Sequence, residues 1–99
     1  MYGTVAHLRA RPGAEHLIVA QINALRTNNT ADSPRMVGWL STALHQSARD
    51  PQDLYLVVAF EDEAAYRKNV ELPTQHEWYI RLRGCLEADP AWIDGNILT

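Results

Sequence analysis

The side chains best equipped for chemistry lie late in the chain. Gln75-His76-Glu77-Trp78-Tyr79 sets an imidazole at the start of a helix beside two aromatic rings, and a neutral imidazole near a cleft can move protons at physiological pH. The plain alternative is a solvated histidine at a helix start. Trp78 and Tyr79, together with Tyr66, have the flatness and size to shape an aromatic small-molecule pocket. Rings at helical spacing also serve simply as core. His7, His16 and His45 form no short two-ligand spacing with one another or with His76, so no metal site is expected. Cys85 falls on an apolar helix face and reads as an inert thiol, since no neighbour in sequence would lower its pKa. Arg81 and Arg83 could meet an anionic substrate, but each lies four residues from an acid, Glu77 and Glu87, and such pairs face each other on a helix. There is no Gly-x-Ser-x-Gly elbow, phosphate-cradling glycine loop or dinucleotide fingerprint.

These residues have to be positioned by a small number of elements. Residues 2–9 mix β-branched and polar side chains and stop at Pro12-Gly13, which reads as a strand followed by a helix start. Over 14–28, Ala14, Leu17, Ile18, Gln21, Ile22 and Leu25 recur at steps of three and four, the mark of a helix with one buried side. A polar breaker cluster follows at 27–34. Residues 35–46 and 54–60 then read as two strands joined through turn residues at 48–53. Asp62 is placed to cap a short helix carrying Tyr66 and Val70, and Pro73 opens another through residue 86 on which Trp78, Tyr79, Leu82, Cys85 and Leu86 share a face. A last strand spans 91–98. The order β, α, β, β, α, β predicts an α+β, ferredoxin-like antiparallel sheet with its helices on one face, a single domain over residues 1–99.

Composition narrows the function classes. Twelve acids against nine bases give a net charge of −3, and with no basic cluster a nucleic-acid partner is not expected. No apolar run approaches the roughly 18 residues a membrane helix needs. The start of the chain has no basic segment leading into a long apolar run, and the lone cysteine argues against an oxidising compartment, so a cytoplasmic location is expected.

The strand patterns carry one further implication. In 54–60, Leu54, Leu56, Val58 and Phe60 point one way and Tyr55, Val57 and Ala59 the other; in the preceding strand, Met36, Leu40 and Leu44 oppose Val37, Trp39 and Ala43. Both sets are mostly apolar, yet the helices suffice to cover one face. Burying a residue such as Val57 is worth roughly 1.5–3 kcal/mol, so a two-fold homodimer that closes bare sheet faces on each other is expected, with Trp39, Tyr55 and Val57 at the interface. Trp92 reads as a plug at a strand end.

Arg11-Pro12-Gly13, the turn Asp50-Pro51 leading into 54–60, Glu61-Asp62-Glu63-Ala64-Ala65-Tyr66 and Gln75-His76-Glu77-Trp78-Tyr79 together resemble the antibiotic biosynthesis monooxygenase family over nearly the full length. The resemblance implies a dimeric α+β barrel with a cleft between sheet and helices in each subunit, and an oxidoreductase that needs no cofactor and acts on an aromatic or quinol-type small molecule. It adds Phe60, where the family often has tryptophan, to Tyr66 and Trp78 as pocket residues. It adds Asn69, where many members have histidine, to His76 and Tyr79 as catalytic donors or bases. The haem-degrading branch uses an asparagine, a tryptophan and a histidine; Ala6, Asn69 and Tyr79 stand at those places. Haem binding or degradation is therefore the third reading, behind a non-catalytic dimeric module for a small apolar ligand or a purely structural role.

Overall fold

A computed structural model describes residues 1–28 and 38–99. The elements run β1 (Tyr2–Arg9), α1 (Glu15–Asn28), β2 (Trp39–Gln46), β3 (Asp53–Phe60), α2 (Glu63–Val70), α3 (Pro73–Gly84) and β4 (Ala91–Asn96). The strands form one antiparallel sheet in the order β2-β3-β1-β4. This is the ferredoxin-like βαββαβ fold that the element order predicts.

The helices begin where local chemistry starts them. Asp62, extended at φ −155°, accepts a hydrogen bond from the Ala65 amide at 2.8 Å and caps α2. Pro73 occupies the first turn of α3, where its missing N–H costs nothing. Pro12 lies in the turn before α1 rather than inside it, because the helix starts at Glu15. α3 also ends two residues before the expected boundary, and Leu86 leaves it to bridge Ala10.

The core lies between the helices and one face of the sheet. Leu8, Leu54, Leu56 and Phe60 from the strands meet Ile18, Ile22, Tyr66, Trp78, Leu82 and Leu86 from the helical side. Ala14 just before α1 and Ile18 and Ile22 on it are buried, whereas Leu17, expected on that face, is 47% exposed. Trp78 Nε1 donates to the Gln21 carbonyl at 3.1 Å, tying α3 to α1. Gly38 sits at φ +80°, and a Cβ there would come within 2.5 Å of Ala65 Cβ, so only glycine lets the start of β2 pass beneath α2.

β2 departs from a simple alternation. Trp39 pairs with Phe60 and Ser41 with Ala59, leaving Leu40 as an extra residue at a bulge. The extra residue shifts the pleat by one: Thr42 and Leu44 face inward as Trp39 does, and Leu40 is left 44% exposed. Trp39 therefore packs against the core, with Nε1 donating to Thr42 Oγ1 at 2.7 Å, and not on the opposite face where strict alternation puts it. Met36 and Val37, named for the same strand, lie outside the described residues.

The outer face carries its side chains in rows. Gly95, Gly3, Ala59 and Ser41 form one; Ile93, Val5, Val57 and Ala43 the next; then Ala91, His7, Tyr55 and His45. His45 and His7 are thus separated by Tyr55, which stacks on His7 at 5.0 Å between ring centroids. The last row is ionic. Arg9 Nη1 donates to Asp50 Oδ2 at 2.6 Å and Asp53 Oδ1 at 3.1 Å, its Nε lies 3.6 Å from Glu87, and His7 Nε2 is 3.0 Å from Asp53 Oδ1. These bonds tie β1 to the turn between β2 and β3.

Candidate functional site

A cleft of about 400 Å³ opens between the inner face of the sheet and the helices. Its floor comes from Thr4, Leu56, Val58 and Phe60 and one wall from Trp92 and Asp94 on β4; α2 and α3, with Leu25 of α1, supply the rest. The volume falls within the range of small-molecule sites. Its residues are mainly apolar and aromatic, with a few polar atoms converging on them.

All six residues singled out for catalysis or substrate contact line this one cleft: Phe60, Tyr66, Asn69, His76, Trp78 and Tyr79. They differ in depth. Phe60, Tyr66, Asn69 and Trp78 are buried, Tyr79 is half-buried and His76 stands exposed at the rim. The rings of Phe60 and Tyr66 meet edge to face at 5.6 Å between centroids, and Tyr2 lies 5.4 Å from Tyr66 on its other side. Arg67 covers the Tyr66 ring at 5.8 Å.

Tyr66 is also the most electrostatically perturbed group in the cleft. Its hydroxyl donates to Asp94 Oδ1 at 3.1 Å. Burial, reinforced by the Asp94 carboxylate, pushes its pKa up to about 12, so the phenol stays protonated at physiological pH. The Thr4 hydroxyl lies near enough to favour the phenolate slightly, but makes no hydrogen bond of acceptable geometry. Thr4 Oγ1 and Asn69 Oδ1 are both buried without a hydrogen-bond partner among the described residues.

Sequence reasoning did not find Thr4, Trp92 or Asp94 as cleft residues. Thr4 and Asp94 face each other in the β1–β4 register, a pairing of residues ninety apart in sequence that no local spacing encodes. Inward pointing along β1 and β4 was the available signal, since positions 4, 92 and 94 share a face once the strands pair antiparallel. Two expected ion pairs also differ. Arg83 pairs with Asp89 at 2.7 Å instead of Glu87, because α3 ends at Gly84 and Glu87 is drawn to Arg9. No pairing of Arg81 with Glu77 occurs among the described residues. The same residues contain no group of three or more His, Cys, Asp or Glu able to hold a metal ion.

The sequence model of the antibiotic biosynthesis monooxygenases matches residues 1–79. The chain belongs to this family. Among solved structures, the family member named as an antibiotic biosynthesis monooxygenase from Bordetella bronchiseptica superposes with a TM-score of 0.81 at 22% identity, covering 99% of this chain and 97% of that one. Another so named, from Nitrosomonas europaea, gives 0.77 at 17% identity with both chains fully covered. A conserved protein from Methanosarcina mazei Go1 gives 0.80 at 15%, covering 95% of this chain and 89% of that one. At these identities the structures speak for the shared fold. A search of curated proteins finds no significant match. In this antibiotic biosynthesis monooxygenase family member, Trp92 and Asp94 of the β4 wall lie beyond the matched segment. No helix among the described residues is long and apolar enough to cross a membrane.

Proposed function

We propose that the protein is a cytoplasmic homodimer that oxidises an electron-rich aromatic or quinol-type small molecule with molecular oxygen, in the cleft beneath α2 and α3 and without a bound metal or flavin. The observation that carries this reading is the cleft itself, a mainly apolar space lined by the rings of Phe60, Tyr66, Trp78 and Trp92, with polar groups such as Asn69 and His76 among them. Such a substrate is its own reductant. Loss of a proton from an activated ring carbon gives an anion that dioxygen can oxidise; one oxygen atom ends as a carbonyl on that carbon and the other leaves with two hydrogens as water. The protein's task is to orient the ring and to stabilise the charge as it develops. His76 at the rim takes the proton, and the Tyr79 hydroxyl and Asn69 amide hydrogen-bond the developing oxyanion.

The homodimer reading is supported by the outer face, where Val5, Tyr55 and Ile93 are 38%, 41% and 71% exposed in the single chain. A second copy is the cover that such a face fits, with Tyr55 and Val57 central to it. Trp39, packed on the inner side, reaches the interface only through the backbone it supports.

Oxygen uptake with a panel of anthrone-like and quinol substrates tests the enzymatic reading. His76→Ala and Tyr79→Phe are each expected to lower kcat by about a hundredfold, the scale of one general acid–base or oxyanion contact. Uniform inactivity of the wild type across the panel would instead favour a non-catalytic ligand-binding module. A haem titration showing a saturable Soret shift would point to the haem reading.

A further inference from the structure

Two polar atoms in the cleft are out of balance with their surroundings. Thr4 is 4% exposed and Asn69 5%, both line the cleft, and neither Thr4 Oγ1 nor Asn69 Oδ1 has a hydrogen-bond partner among the described residues. A buried polar atom left unpaired costs stability, and folded proteins leave few of them. Two in one cleft, amid Leu56, Val58 and Phe60, are suited to a partner that enters the cleft.

The chemistry of the pair defines that partner. A carbonyl oxygen such as Asn69 Oδ1 only accepts, so the ligand has to donate to it. A threonine hydroxyl both donates and accepts. One ligand group that donates to the first and accepts from the second is a hydroxyl. Tyr66 links the two residues: Asn69 lies three residues further along α2, on the same helix face, and Thr4 pairs across the sheet with Asp94, to which the Tyr66 hydroxyl is bonded at 3.1 Å. The Tyr66 hydroxyl itself is committed to Asp94, which fixes the ring as a wall and leaves the other two atoms unpartnered.

We propose that Thr4 Oγ1 and Asn69 Oδ1 form a subsite for a hydroxyl group on an otherwise apolar aromatic ligand, with the Asp94-anchored Tyr66 ring as its wall. The inference rests on the reading of the cleft as an aromatic small-molecule site and makes Thr4 a specificity-determining residue. A ligand with its hydroxyl methylated or removed loses the donor that Asn69 requires. A carboxylate in its place presents no donor either, and brings its charge towards Asp94.

The test is calorimetric binding of 2-naphthol and 2-methoxynaphthalene, which differ only by the methyl group on oxygen. The wild type is expected to bind 2-naphthol about tenfold more tightly, the worth of one hydrogen bond in an apolar setting. Thr4→Val and Asn69→Leu, both close in size to the native side chains, are expected to shrink that preference to about threefold or less singly, and to remove it together. Each variant is also expected to unfold at a higher temperature, because an unpaired buried polar atom has been replaced by carbon. This second measurement separates loss of the subsite from loss of the fold. Equal affinity of the wild type for the two probes, no binding of either, or a preference that survives in the double variant would each overturn the proposal. The oxygenase reading fails separately: preference for 2-naphthol with no oxygen uptake on any substrate leaves the subsite standing, while turnover without the preference removes the subsite alone.

Discussion

On the inner face of the sheet, Leu8, Leu54, Leu56 and Phe60 of β1 and β3 are at most 2% exposed, while on the outer face Val5 and Tyr55 of the same two strands are 38% and 41% exposed and Ile93 of β4 is 71% exposed. The two sets differ little in hydrophobicity. What separates them is the supply of cover: the helices lie on one side and leave room for a cleft between themselves and the sheet. The comparison teaches that in so short a chain, apolar patterning on a strand records what the residue meets in its working state, which need not be met within one copy.

The comparison breaks first at the core. Leu56→Ala, on the inner face, is expected to cost about 2–5 kcal/mol in denaturant unfolding; a cost under 1 kcal/mol would mean that the inner face is not the structural core. On the outer face, Val57→Asp with Ile93→Asp should weaken self-association by about a hundredfold or more, roughly 3 kcal/mol, because a charge is carried into a surface that has to lose water. Sedimentation equilibrium reads this directly, and an unchanged mass, or a wild type that is already monomeric at micromolar concentration, would remove the outer face as an interface.

The faces are also expected to respond to opposite ends of the pH scale. Tyr66, on the inner side, has a folded-state pKa raised from 10.0 to about 12 by burial and by Asp94. A raised pKa favours the protonated form in the native state, so its contribution is full below pH 10 and declines between pH 10 and about 12. Tyr66→Phe should therefore flatten the alkaline fall in stability, measured by thermal unfolding across that range. Asp50, on the outer side, is held below its ordinary value by the hydrogen bond from Arg9, then by the amide of Gln52. A lowered pKa contributes above the ordinary value of 3.8 and is lost as acid protonates the group. Asp50→Asn should reduce the acid sensitivity by a smaller amount, since the pair is open to solvent and screened.

Much of this was legible beforehand because it is local. The step of three and four in α1, the Asp62 cap and the unbroken apolar run of β3 each fix an element within a dozen residues. The two-sided apolar pattern of β3 was equally plain. The bulge at Leu40 was not, because an extra residue in a strand is stabilised by its neighbour's register and leaves no mark on composition. One missed residue reversed the face assigned to Trp39. For the cleft, aromatic and imidazole residues announced themselves by type, while Thr4 and Asp94 did not: a threonine in a strand is ordinary, and an aspartate near the end of the chain reads as surface. Their meaning comes from Tyr66, which reaches both across the β1–β4 pairing.

The rows on the outer face have a consequence for how anything can be laid over them. From Gly95 and Gly3, through Val5 and Val57, to His7 and Tyr55 and finally Arg9 with Asp50, the side chains grow taller and then charged. Such a surface is tapered. A cover could press closest against the glycine end and would meet charge and water at the arginine end, so the face is not uniform from one edge to the other.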